Sequence, residues 1–365
     1  MNEKLFIKAD HPFLQYCGRI GRDDKGRPEF IYPCSFVRLE FIGDSVEVEL
    51  ENHSVYWDNY IGWILDGGQR KAKLPGEGKT SLCLGKELGE GRHSLLLFKR
   101  QDSCHTISLE GFLLPKGGSL MEPEPLPKRR IEVYGDSVSA GEVSEATDYV
   151  GKVDPVHQGE YSNSWYSYAW MTARKLHASI HNISQGGIAL RNGTGWFESP
   201  RPIGMEWVYD KVQYQPTIGR TSLWDFKEYR PHVVIIALGQ NDSHPEDFMK
   251  EDYDGQKAME WRAHYTCFIQ KLRELYPQAF LILTTTILCH HHNWDRTIEE
   301  VWSTLKDDRV SHFLYKRNGC GTPGHIRIPE AEEMAGELSE YINGLGEEIW
   351  RDEFGFDGHL MESRL

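Results

Sequence analysis

The hydrophobic period of this chain changes once, at residues 122–130. Before that point short apolar runs alternate at period two between Gly-rich turns. After it, apolar strands alternate with segments whose apolar residues recur at helical spacing. The junction itself carries Pro123, Pro125 and Pro127, three prolines in five residues, which makes a stiff, extended connector. The strand-only pattern predicts a β-sandwich of jelly-roll type. The alternating pattern predicts a parallel sheet covered by helices, an α/β class. We therefore expect a β domain over residues 1–120, a Pro-rich linker over 121–130 and a three-layer α/β/α domain over 131–365.

In the second part, strands are expected over 131–134, 179–183, 232–238 and 279–286, and helices over 165–177, 258–276 and 329–345. The run His232-Val233-Val234-Ile235-Ile236-Ala237-Leu238 is almost wholly apolar, as befits a strand buried on both faces. In sheets of this kind ligands bind beyond the carboxyl ends of the strands, so those ends are where chemistry is to be sought.

The first strand ends in Gly135-Asp136-Ser137, followed by small residues. A serine there sits where a helix begins, and free N–H groups at a helix start favour negative charge. Ser137 is the candidate nucleophile. The same tripeptide occurs at Gly43-Asp44-Ser45, between two runs that alternate at period two, and is expected to be a β-hairpin turn. No helix can start at Ser45, so nothing activates it. The second strand delivers Ser184-Gln185-Gly186-Gly187 and the third delivers Gly239-Gln240-Asn241-Asp242. A Gly backbone N–H and an Asn side-chain amide are suitable donors to an oxyanion, and a serine nucleophile also needs a base, usually His.

Ser, Gly, Asn and His in this order, from Gly-Asp-Ser through Gly-x-Asn-Asp, resemble the SGNH (GDSL-type) hydrolase superfamily. The resemblance assigns Ser137 as nucleophile, Gly187 as the oxyanion-hole glycine with Gly186 the alternative, and Asn241 as the oxyanion-hole asparagine. Two histidines compete for the base. His359 has Phe356 where the superfamily has its triad Asp, and no helix follows it. His325 has Thr322 there, but a predicted helix follows directly, so His325 is preferred. The segment from Gly319-Cys320 through His325 to Met334-Ala335-Gly336-Glu337-Leu338 is similar to carbohydrate esterase family 2, which also places a jelly roll before its hydrolase domain. Some members of that family lack the triad Asp and orient the His with a backbone carbonyl. The resemblance therefore implies a Ser137–His325 dyad in a serine esterase that removes O-acetyl groups from xylan- or mannan-type polysaccharides or their oligosaccharides. A non-catalytic carbohydrate-binding protein and an esterase for another short acyl ester are the competing readings.

Composition narrows the partners. Asp plus Glu exceeds Lys plus Arg by 55 to 41, a net charge of −14, which argues against nucleic acid and anionic membranes. No run of about 18 apolar residues suggests a transmembrane helix. The N-terminus is charged and does not read as a signal peptide. The seven cysteines are scattered without CxxC spacing. A cytoplasmic protein with reduced thiols is the expectation. Nothing in the sequence calls for a cofactor. His290-His291-His292 has no metal-ligand spacing, so no metal is expected, and the run reads as a substrate-facing loop. Trp196, Trp224 and Trp294 fall in expected loops and are candidates for stacking on sugar, with packing against the β domain the alternative. Asp242 reads either as support for the Asn241 turn or as an ordinary loop aspartate.

Overall fold

The computed structural model describes residues 4–352. Its first part consists of β1 (Lys4–Lys8), β2 (Gln15–Cys17), β3 (Ile20–Arg22), β4 (Pro28–Phe30), β5 (Phe36–Ile42) and β6 (Val46–Ser54). These are followed by β7 (Tyr60–Leu65), β8 (Gly68–Lys73), β9 (Glu77–Gly85), β10 (Arg92–Lys99), β11 (His105–Pro115) and β12 (Ser119–Met121). They form two antiparallel sheets. One runs β3-β4-β11-β6-β9 with β1 on β11; the other runs β12-β5-β10-β7-β8 with β2 on β5. The inward residues of both, among them Val37, Leu39, Val48, Leu50, Leu95 and Leu109, make one apolar core. This is a β-sandwich.

The Gly43-Asp44-Ser45 turn corrects an expectation. It does join two alternating strands, but β5 and β6 belong to opposite sheets, so the turn is a corner and not a hairpin. Strands that face one another across a sandwich bury alternate residues just as hairpin partners do, so alternation alone cannot tell the two apart. The tight hairpin lies instead at Asp66-Gly67 between β7 and β8, where both residues have positive φ (49° and 81°), as a type I′ turn needs.

The second part is a five-stranded sheet, wholly parallel. Its strands are β13 (Arg129–Gly135), β14 (Ala178–Ser184), β15 (Val233–Ala237), β16 (Phe280–Thr284) and β17 (Val310–His312), ordered β14-β13-β15-β16-β17. The helices are α1 (Ser137–Ala140), α2 (Tyr168–Lys175), α3 (Met205–Val208), α4 (Phe248–Glu251), α5 (Gln256–Leu275), α6 (Asn293–Leu305) and α7 (Ile328–Gly344). Alternate strand residues serve opposite faces. Val233 and Ile235 pack with α2 and α7, whereas Val234 and Ile236 pack with α5 and α6. That is the three-layer α/β/α arrangement.

Two helices differ from expectation. Over 165–177 the chain first makes a 3-10 turn, Ser164–Tyr166. Ser167 is then extended, and its hydroxyl caps α2 by accepting from Trp170 N at 3.2 Å, so the α-helix starts later. Residues 293–305, read in part as a loop, form α6.

The two parts share apolar cores. Cys17, Cys34, Phe36 and Phe98 of the sandwich lie in the same cluster as Ile131, Val133 and Trp170. Arg19 is fully buried and spans the junction. It pairs with Glu132 at 3.3 Å and donates to Tyr134 Oη at 2.8 Å. Its guanidinium lies 5.2–5.6 Å from the ring centroids of Phe226, Trp224 and Tyr134.

Candidate active site

In the parallel sheet β14 and β15 flank β13 on opposite sides. The connection from β13 runs outward to β14 while that from β15 runs the other way to β16, so a crevice opens between the ends of β13 and β15, the usual ligand position in such sheets. Ser137 stands at that end, at the first position of α1. Gly135 has to be glycine, because a Cβ there would meet Ser139 Oγ at 2.2 Å. Asp136 caps the turn, accepting from Val138 N at 3.0 Å. Since α1 is a single turn, what it offers is its free N–H groups and little macrodipole.

His325 Nε2 lies 2.8 Å from Ser137 Oγ. The expectation of a dyad needs correction. His325 Nδ1 lies 2.6 Å from Asp154 Oδ2, and Asp154 Oδ1 accepts from His325 N at 2.9 Å. The buried guanidinium of Arg327 also donates to Asp154 Oδ1 at 2.8 Å. The carboxylate missing three residues before His325 thus comes from an upstream loop. That loop is tied down by Glu330 in the first turn of α7, which accepts from Gly151 N at 2.9 Å and from Arg327 N at 2.8 Å. Gly324 permits the approach, since a Cβ there would come within 2.7 Å of Asp154 Oδ1.

The other motif residues gather around Ser137. Asn241 Nδ2 donates to Asp136 Oδ2 at 3.2 Å and to Ile188 O at 3.1 Å, so it bridges the neighbours of Ser137 and Gly187. Gly187 has φ +71°, and its carbonyl accepts from Trp196 N and Phe197 N at 2.8 and 3.1 Å. Gly186 N–H is taken by Asp102 Oδ2 at 2.7 Å. The Asp242 carboxylate braces the strand-two loop and not its own turn, accepting from Leu190 N at 2.8 Å and Thr194 Oγ1 at 3.0 Å.

Charge is concentrated here. Burial raises Asp242 to about 6 and, against the pull of His325, raises Glu142 to about 7. Burial also pushes Asp136 up. Asp154 goes the other way: burial opposes it, but the His325 and Arg327 hydrogen bonds hold it well below the usual carboxylate range. Burial would lower His325, yet the Glu142 charge, then Asp154 and Asp136, raise it to about 9. Glu142 was not foreseen from the sequence.

The three tryptophans separate. Trp196 is 58% exposed and stacks on His244, with centroids 3.3 Å apart. It borders a cleft of about 300 Å³ that Asn241, Asp247, Leu288, His291 and Pro323 also line. Trp224 is only 9% exposed and packs over Arg19, so it cannot stack on sugar. Trp294 borders the same cleft but is 0% exposed. It is wedged against Trp261 and Phe248, with its indole N–H on Asp247 Oδ1 at 3.0 Å, so its face is closed as well. His290 faces Asp295 and Leu288 O and is held by the protein itself. Among the described residues, no group of three or more His, Cys, Asp or Glu side chains is placed to hold a metal ion. No helix among them is long and apolar enough to cross a membrane. His359 lies outside the described residues.

Residues 16–124 match the family model described as carbohydrate esterase 2 N-terminal. Over 321 residues the chain is 31% identical to the cellulase/esterase CelE of Acetivibrio thermocellus, an alignment covering 87% of this chain and 35% of that protein. It is 28% identical over 353 residues to the acetylxylan esterase / glucomannan deacetylase of Cellvibrio japonicus, covering 94% and 91%. A solved family two carbohydrate esterase from Clostridium thermocellum, in complex with cellohexaose, superposes with a TM-score of 0.75 at 27% identity, covering 93% of this chain and all of that one. The chain belongs to carbohydrate esterase family 2. It spans about a third of CelE's length, 35%, and nearly the whole of the Cellvibrio relative, 91%.

Proposed function

We propose that this chain is a serine O-acetyl esterase acting on xylan- or mannan-type polysaccharides or their oligosaccharides. The observation that carries the reading is the continuous line Ser137–His325–Asp154, at 2.8 and 2.6 Å. A nucleophile, a base and a carboxylate that orients the base are thereby joined at the mouth of the crevice. The relative named acetylxylan esterase / glucomannan deacetylase supports the choice of acyl group and polymer.

His325 takes the Ser137 proton as Oγ attacks the acetyl carbonyl carbon. The carbonyl π electrons move onto oxygen, which Gly187 N–H and Ser137 N–H receive, joined by the Asn241 amide once one of its N–H bonds turns from Asp136 Oδ2 or Ile188 O to the oxyanion. Collapse of this intermediate expels the sugar oxygen, which leaves with the proton from His325. Water, deprotonated by His325, then attacks the acetyl-enzyme, and collapse of this second intermediate breaks the bond to Ser137 Oγ, which regains its proton from His325 as acetate leaves. Asp154 holds the imidazole with Nε2 toward Ser137 and stabilises the imidazolium. Gly187 is preferred over Gly186 as donor because the Gly186 N–H is already bonded to Asp102.

The test is acetate release from acetylated xylan, acetylated glucomannan and p-nitrophenyl acetate by wild type and Ser137→Ala. We expect release by wild type and none by the variant. A wild type that binds these polymers and releases nothing would show a carbohydrate-binding protein instead. A preference for longer acyl chains in a synthetic ester series would point to another substrate class.

A further inference from the structure

The loop joining β10 to β11, at the edge of the sandwich, reaches the strand-two loop of the parallel sheet through the Asp102 carboxylate and the neighbouring Ser103 hydroxyl. Asp102 is 5% exposed and accepts four hydrogen bonds. Oδ2 takes Gly186 N–H and Gln185 Nε2, each at 2.7 Å. Oδ1 takes Cys104 N at 2.9 Å and the Tyr56 hydroxyl at 3.0 Å. Bonds to an ionised carboxylate are about twice as strong as neutral ones. The loop that carries Asp102 is itself fixed, since the buried Lys99 ammonium donates to the carbonyls of Gln101 (2.9 Å) and Asp102.

The clamp closes on Gln185 from both ends. Its Nε2 is held by Asp102 and by Tyr56 Oη at 3.0 Å. Its Oε1 accepts from Ser103 Oγ and from the Tyr214 hydroxyl, the latter at 2.7 Å. Gly186 has no room for a side chain, because a Cβ there would lie 2.7 Å from both Asp102 Oδ2 and Glu142 Oε2. On the far side, the Gly187 carbonyl is fixed by Trp196 N and Phe197 N. The peptide units just before and just after the one that carries the Gly187 N–H are therefore both held, and Asp102 is the sandwich's direct bond to that main chain. The space beside Asp102 and Glu142 is about 10 Å³, room for about one water and far too small for a sugar.

We propose that Asp102 is a positioning residue for the oxyanion hole, through which the sandwich sets the orientation of the Gly187 N–H. The proposal rests on the esterase reading above. It makes the β domain part of the chemical step, in addition to any part it has in holding polymer. Asp102 acts through the loop and does not touch substrate.

The experiment compares wild type, Asp102→Asn and Asp102→Ala on p-nitrophenyl acetate, a substrate with no sugar to engage the cleft. Active-site titration with a serine-directed phosphonate gives kcat per competent site. Removing one oxyanion donor costs about 10²–10³ in kcat, so Asp102→Ala should lose on the order of 10²-fold with KM little changed. Asn keeps one acceptor oxygen and puts an amide NH2 where the other was, so Asp102→Asn should fall between, roughly tenfold down. A purely structural role would lower the thermal midpoint and the titrated fraction while leaving kcat per site at the wild-type value, and that result would overturn the inference. If Asp102→Ala does not fold, the isosteric Asp102→Asn decides alone by the same criterion. A wild type inert toward acetyl esters would overturn the esterase reading and this inference together, whereas an active wild type with undiminished variants overturns this inference only.

Discussion

Asp154 Oδ2 stands 2.6 Å from His325 Nδ1, although 171 positions separate the two residues in the chain. The same carboxylate binds the His325 backbone N–H and Arg327. Ring, main chain and carboxylate are thus fixed as one unit. Asp154→Ala and Asp154→Asn should fold and bind substrate but lose kcat, by up to about 10⁴-fold for the Asn variant, because the imidazole loses both its orienting partner and its counter-charge. Full activity in either variant would return the site to a Ser–His dyad.

The base must be neutral to accept the Ser137 proton, and His325 is raised to about 9. With deprotonation required, kcat/KM should climb with pH through the neutral range, with a midpoint well above 6.5, the ordinary imidazole value. Burial opposes this shift, and Glu142 is the largest influence producing it. Glu142→Gln should therefore move the midpoint toward lower pH and leave the alkaline plateau standing. A pH–rate profile of both proteins on p-nitrophenyl acetate reads this directly, and an unmoved midpoint would remove Glu142 from the account.

Trp196→Ala should separate sugar binding from chemistry. An aromatic face is worth about 0.5–1.5 kcal/mol to a stacked partner, or roughly a two- to tenfold rise in KM on acetylated oligosaccharides. On p-nitrophenyl acetate kcat should hold. Trp224→Ala should behave differently, destabilising the fold by about 3–5 kcal/mol as read by denaturant midpoint. Equal effects of the two variants on both substrates would contradict the positions described above.

Arg19 offers a stability test away from the site. Its partner Glu132 also accepts from the Tyr134 and Tyr276 hydroxyls at 2.5 and 2.8 Å. Arg19→Met leaves that carboxylate buried without its cation, a loss of about 3–5 kcal/mol. Adding Glu132→Gln should recover part of the loss, since a neutral amide is cheaper to bury. A double variant less stable than the single one would speak against this picture.

What the sequence disclosed depended on how local each signal was. Ser137 and Asn241 were legible because an apolar strand and the motif that follows it are contiguous. His325 could be chosen because Pro329 starts a helix just after it. Asp154 and Asp102 were not legible. Each lies in a loop without periodicity and reaches its partner only when distant segments meet, and the glycines that admit them, Gly324 and Gly186, have many other uses in a chain. Trp294 was misplaced although Trp294, Ile298 and Val301 recur at helical spacing, because three histidines just before them suggested a loop. The Gly43-Asp44-Ser45 corner shows the reverse limit, since there the strands were read correctly and their pairing was not.

The apolar cluster that joins Cys17, Cys34, Phe36 and Phe98 to Ile131, Val133 and Trp170 has a bearing on how this architecture can be rearranged. The Pro-rich segment looks like a place to cut and splice. Yet a break there would expose a greasy wall on each fragment and strand the Arg19 charge in one and Glu132 in the other. The two halves should therefore be moved or engineered as a pair. A catalytic half grafted onto an unrelated binding module would need a new lining for the side its sandwich now covers.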